Sequence, residues 1–225
     1  MLFGCLVVLL FVLVKESNTI NQTTKQPTKQ LNNQTTKQPT MTRVLILVTL
    51  LICSCSADEF EYCTDRQCYF VYDSSIHNVC ILNNALNPLT SGVFCQVKQE
   101  PKNGIRHLIL QLQDGKTTEE VAITTATETQ RSCILGAGNG LVIGYSSLHQ
   151  QLYAFDLQCP NCLKTHYPYV KYALQWSNNG NWLKCSTCQR SYDLNNGGIV
   201  ASGESGLKLL RYRSDYTGQV LFVRN

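Results

Sequence analysis

Charge is scarce in this chain, and divided along its length it leaves no net sign in the greater part of it. Only 15% of the 225 residues are Asp, Glu, Lys or Arg. The formal net charge of +4 lies wholly in residues 1–55, where Lys15, Lys25, Lys29, Lys37 and Arg43 face a single acid, Glu16. Residues 56–225 carry 14 basic and 14 acidic side chains. A neutral body has no electrostatic footprint for a phosphate backbone, so no nucleic acid is expected as a partner. The first apolar run, Leu2 to Val14, has 13 residues where a bilayer span needs about 20. It resembles the core of a secretory signal instead. Histidine is also sparse, with 4 in the chain, and His77 and His107 stand isolated. No nucleophile with a matched base is visible, which leaves an enzyme as the weakest of the functional classes.

What the chain does have is a layered beginning. Asn-Gln-Thr-Thr-Lys-Gln-Pro-Thr occurs at 21–28 and again at 33–40. A repeat with almost no apolar side chain cannot bury enough surface to offset its ordering entropy, so disorder is expected there. A second apolar run follows Met41-Thr42-Arg43 and ends in Ile52-Cys53-Ser54-Cys55. A basic start, an apolar core and small residues before a processing point make 41–55 a second leader. Ile52-Cys53-Ser54-Cys55 resembles a bacterial lipobox, with small Ser54 before the cysteine to be acylated. Cys55 is therefore the expected lipidation site, and Cys53 fits poorly because Ile52 precedes it directly. An ordinary cleaved signal with Cys55 merely nearby is the alternative. Acyl chains would anchor the protein to a membrane without spanning it.

The body reads as short strands broken by Asn and Gly turns. Cys68–Tyr72, Val93–Val97 and Ile105–Gln113 are expected strands in an N-terminal region, 56–132, of β or α+β character. Thr117 to Arg131 fits either a helix opened at Thr118 or a strand. Further on, 141–146, 152–157, 172–176, 182–184, 192–194, 199–203, 207–212 and 220–223 read as strands of a second region, 133–225. The expected class is mostly β: a small antiparallel barrel or sandwich.

The 12 cysteines sort by position. Cys5 and Cys53 lie in the leaders, and Cys55 at the lipobox. Cys63, Cys68, Cys80, Cys95 and Cys133 are either paired in an oxidising compartment or small buried apolar residues, with Cys63 and Cys68 a possible disulfide. The last four, Cys159-Pro-Asn-Cys162 and Cys185-Ser-Thr-Cys188, follow C-x2-C-x22-C-x2-C. Two such turns can aim four sulfurs at one ion, giving a rubredoxin- or zinc-ribbon-like tip. Disulfides and redox thiols are the competing readings. A thioredoxin-like motif should open a helix, and Leu163 to Pro168 is a poor helix sequence.

Around these turns the sequence resembles the Rieske iron-sulfur domain over residues 133–225. The resemblance rests on Ala154-Phe-Asp156 running into Cys159-Pro160, on Cys185-Ser-Thr-Cys188, Tyr192-Asp193, Gly197-Gly198 and Gly203, and on Leu209-Leu-Arg-Tyr212. More narrowly, 56–225 is similar to Rieske-like lipoproteins of Gram-negative gut and oral anaerobes. That resemblance implies a bacterial cell-envelope protein, lipid-anchored, facing the periplasm or on the outer membrane. The sequence departs from the Rieske pattern at both histidine ligands. Asn161, followed by Cys162, occupies the first position and Cys188 the second. His166 is a weak substitute. Four thiolates favour one tetrahedral zinc, or else iron, whereas the resemblance favours a 2Fe-2S cluster.

Two functions follow as expectations: a structural four-cysteine metal in a binding or scaffolding lipoprotein, or a redox-active iron centre in an electron carrier. The sequence names no protein partner. Two successive leaders are unusual, and Met41 is the expected start, with 1–40 as upstream sequence. Intact mass of the native precursor should show no residues before Met41; a mass that includes 1–40 would overturn this.

Overall fold

The computed structural model describes residues 62–78, 80–165 and 171–225, and these belong to one compact unit. Among the described residues thirteen strands are formed: β1 Cys68–Asp73, β2 Phe94–Lys102, β3 Ile105–Leu112, β4 Thr118–Ile123, β5 Ile134–Leu135, β6 Gly140–Tyr145, β7 Leu152–Asp156, β8 Leu174–Ser177, β9 Trp182–Cys185, β10 Ser191–Asp193, β11 Ile199–Ser202, β12 Arg211–Tyr216 and β13 Val220–Arg224. Short α-helices among the same residues are α1 Leu82–Ala85, α2 Ala126–Thr129 and α3 Pro160–Thr165.

The strands form two antiparallel sheets. Nine run in the order β4-β3-β2-β6-β7-β12-β13-β1-β5, and four in the order β11-β10-β9-β8. The boundary expected at 132/133 falls inside the larger sheet, because β1 lies between β13 and β5 while β2 pairs with β6. The expected barrel does not close: β4 and β5 are free ends of the nine-stranded order. Side-chain alternation shows why two layers are needed. Along β6, Leu141 and Ile143 point into one core and Val142 into another. Along β7, Leu152 and Ala154 enter the first core, Tyr153 and Phe155 the second. A strand apolar on both faces must be covered on both.

The larger sheet supplies the first cover itself. Leu108, Leu110, Val121 and Ile123 from β3 and β4 share a cluster with Phe70, Tyr72, Leu221 and Val223 from β1 and β13. Opposite ends of the strand order therefore curl toward one another around a common core. The four-stranded sheet covers the other face, setting Leu174, Leu183 and Tyr192 against Phe94, Val142 and Phe155.

Sequence and structure part in three places. Thr117 to Arg131 is both strand and helix, with β4 followed by α2, which Thr125 caps by accepting from the Glu128 N–H. The strand expected at 207–212 begins only at Arg211, because Leu207 N–H bonds the Asn161 side chain and Leu209 N–H bonds Gly198 O. The helix not expected after Cys159 does form, as α3. Pro160 leads it, where a missing N–H costs nothing and φ is preset.

One buried charge ties these parts together. Asp156, with no exposure, accepts from Ala137 N–H (2.6 Å), Gly138 N–H (3.0 Å), Gln158 N–H (2.8 Å) and Tyr212 O–H (2.7 Å). Burial pushes its pKa up, and these donors oppose the shift. The 136–138 turn can wrap the carboxylate only because Gly136 has no side chain: a Cβ there would lie 2.3 Å from Asp156 Oδ2, and φ is +67°. Asp156→Asn keeps the shape but turns a donor toward donors. It should cost about 3 kcal/mol, or roughly 6–12 °C in thermal midpoint for a chain of this size. A midpoint unchanged within about 2 °C would contradict this role.

Candidate metal centre

The two C-x2-C turns reach one point by different routes. β7 ends at Asp156, the Gln158 backbone follows under its carboxylate, and Cys159 comes next with its N–H held by Tyr172 O at 2.9 Å. Cys162 sits on the first turn of α3. The second turn leaves β9 at Cys185, whose N–H and C=O bond Arg190 O and Gln189 N–H at 2.9 and 3.0 Å. Such closure needs a left-handed residue after the second cysteine, and Gln189 takes it with φ +60°.

The four sulfurs all lie within 4.8 Å of one another, so the group could hold a metal ion. Cys159 Sγ stands 3.6 Å from Cys188 Sγ, and Cys162 Sγ 3.7 Å from Cys185 Sγ. A tetrahedron with metal–sulfur bonds of about 2.3 Å has edges of about 3.8 Å, so these distances fit one four-coordinate ion. They are too long for disulfides, whose sulfurs bond at about 2.05 Å. The near pairs also cross between turns, as a shared ion requires.

Hydrogen bonds to sulfur hold this shell. The Cys162 N–H points at the Cys159 sulfur, and the Arg190 N–H and guanidinium at that of Cys188. Tyr192, fully buried, places its hydroxyl 3.2 Å from Cys159 Sγ. Asn161 Nδ2 donates to that hydroxyl at 2.8 Å, so the phenol proton is turned toward the sulfur. Burial pushes the Tyr192 phenol up, which keeps it a donor. The thiols divide. Burial raises Cys159, and burial with the neighbouring thiols raises Cys162. At Cys188 burial acts upward too, but the Arg190 bonds prevail and bring it down to about 7. Metal binding takes cysteine as thiolate, so a bound cation would offset the cost of ionising Cys159 and Cys162.

Cys159, Cys162, Cys185 and Cys188 are thus brought together as their spacing predicts. Arg190, Asn161 and Tyr192 are the functional neighbours that spacing did not reveal as hydrogen-bond partners of the centre. Arg190, two residues past Cys188 on a hydrogen-bonded turn, is the one that turn geometry could have indicated. Cys55 and His166 lie outside the described residues. Cys63 and Cys68 are unbonded, and with Cys80, Cys95 and Cys133 they stand as free thiols packed on the first core. Burial takes Cys68 to about 12 and Cys133 to about 11, so both behave as small apolar groups at neutral pH. Trp176 packs on the second core beside the knuckles.

Compared with known proteins, the chain matches no family model, no curated protein and no solved structure. Among the described residues, no helix is long and apolar enough to cross a membrane.

Removing the phenol oxygen tests the shell. Tyr192→Phe should lower stability by about 1–2 kcal/mol and speed metal transfer to a chelator, followed with a chromogenic indicator. Unaltered transfer kinetics would show the hydroxyl to be a bystander.

Proposed function

We propose that this chain binds one zinc ion through Cys159, Cys162, Cys185 and Cys188, and that the ion is structural. The observation that carries the reading is the closed shell of four sulfurs, with edges near those of a single tetrahedron. A two-iron cluster distributes its cysteines between two metals, whereas four sulfurs all within 4.8 Å of one another converge on one point. A zinc with four protein ligands has no open position, so it activates no water. Its contribution is to folding: it cross-links α3 to the turn between β9 and β10, the two central strands of the four-stranded sheet.

A second reading has its own support. Hydrogen bonds to sulfur from Tyr192, Arg190 and the Cys162 N–H are the groups that set the potential of an iron–thiolate centre. With rubredoxin-like iron, the same shell would carry one electron, as the Rieske resemblance suggests. On either reading Cys55 is the proposed acyl anchor at a bacterial envelope membrane; with a structural ion the β-body is a binding or scaffolding module there.

Anaerobic purification, metal analysis and visible absorption separate the two. The expected result is one zinc per chain and no visible band; a coloured, reducible iron centre would overturn it. Cys185→Ser should lose the ion. If the free metal stands about a thousandfold above its dissociation constant, that loss removes about 4 kcal/mol, or roughly 10 °C in midpoint.

A further inference from the structure

Beside the metal centre lies a cleft of about 530 Å³, whose size suits a small molecule. Pro160 and Leu163 of α3 form one wall, Leu207 and Leu210 the other, and Lys164 and Arg66 line it together with Asp65 and Cys63. Three of its features favour a ligand over an incidental hollow.

The walls are preformed. Asn161 clamps the 205–208 loop by donating from Nδ2 to Leu207 O and accepting Leu207 N–H at Oδ1, both at 2.9 Å. Gly206 lies flush against this clamp: a Cβ would meet Asn161 Oδ1 at 2.3 Å. Arg190 secures the other end of the loop, donating to Glu204 O and Ser205 O and pairing with the Glu204 carboxylate at 2.6 Å. A loop with so many side-chain bonds loses little freedom on binding.

The lining is also apolar where burial would be expected. Leu207 keeps 44% of its surface exposed although its backbone is fixed, and Leu163 and Leu210 are half-buried. Finally, the charge of the lining leans positive, with Lys164 and Arg66 against the single acid Asp65. Lys164 is exposed and pairs with no acid among the described residues, and no acidic residue occurs anywhere from 157 to 192.

We propose that this cleft binds a small amphipathic carboxylate, its apolar tail against Leu163, Leu207 and Leu210 and its carboxylate at Lys164, with Arg66 lining the same site. The assignment goes beyond the metal reading and does not depend on which ion fills the thiolates.

The test is calorimetric titration of the purified, metal-loaded protein with octanoate and with octanol, its uncharged counterpart. Octanoate should bind, and octanol about tenfold more weakly or not at all. Lys164→Gln should weaken octanoate about tenfold and leave octanol unaffected. Leu207→Asn, at an exposed position that leaves the cores intact, should weaken both. Metal content and thermal midpoint, measured on the same samples, confirm that each variant is folded. No binding of octanoate, equal binding of the two probes, or indifference to both substitutions would overturn the proposal. An iron centre in place of zinc would leave it standing.

Discussion

The carboxylate of Asp156 is the point on which the two sheets and the metal turns depend. It takes donors from the 136–138 turn, from β12 through Tyr212, and from the backbone that carries the chain into Cys159. An anion removed from water is tolerated only when its lone pairs are filled, and here four donors converge on two oxygens. The constraint is mutual. Tyr212 is itself fully buried in the first core, while Gln158, one step further along, accepts the Tyr172 N–H and so aligns the strand that follows the first metal turn. Position of the first knuckle is thereby inherited from the sheet, not from the ion.

Charge at the far end of this arrangement is balanced by another route. Four thiolates on a divalent ion carry an excess of two negative charges. Residues 157–192 contain Lys164, Lys171, Lys184 and Arg190 and no acid at all, within a body, 56–225, whose charges cancel only as a whole. Arg190 shows how this acts at short range, since it both bonds the Cys188 sulfur and holds Glu204.

Legibility in the sequence followed the range of the forces involved. Strands such as β1, β3, β6 and β7, and the β8–β9 hairpin with its Asn-Asn-Gly turn, could be read from alternation and turn residues, because both are local. The four metal cysteines could be read because a shared ion imposes spacing on the chain. The curling of the larger sheet could not. It arises from β1 and β13 meeting β3 and β4 across the first core, and pairing of that range leaves no mark on any short window. Helix α3 was missed for a related reason: the residues after Cys162 are poor helix formers, yet Pro160 and the bond from Leu163 N–H to Cys159 O set a turn that tertiary packing sustains. Asp156 was visible as part of a Rieske-like pattern, but its buried, fourfold-bonded state was not.

The two knuckles differ in what holds them. The first is held by strand, carboxylate and helix. The second turns on Gln189 in a left-handed conformation, which a side chain adopts at a cost of roughly 1–2 kcal/mol. Its retention of that shape draws on Arg190, whose C=O receives the Cys185 N–H and whose guanidinium reaches back to the Cys188 sulfur. Cys188 is also the half-exposed member of the set, and its thiol is brought down to about 7. Three of the four sulfur-bearing residues, Cys159, Cys162 and Cys185, are thus buried with the second core, while the second turn sets Cys188 on the solvent side of the group.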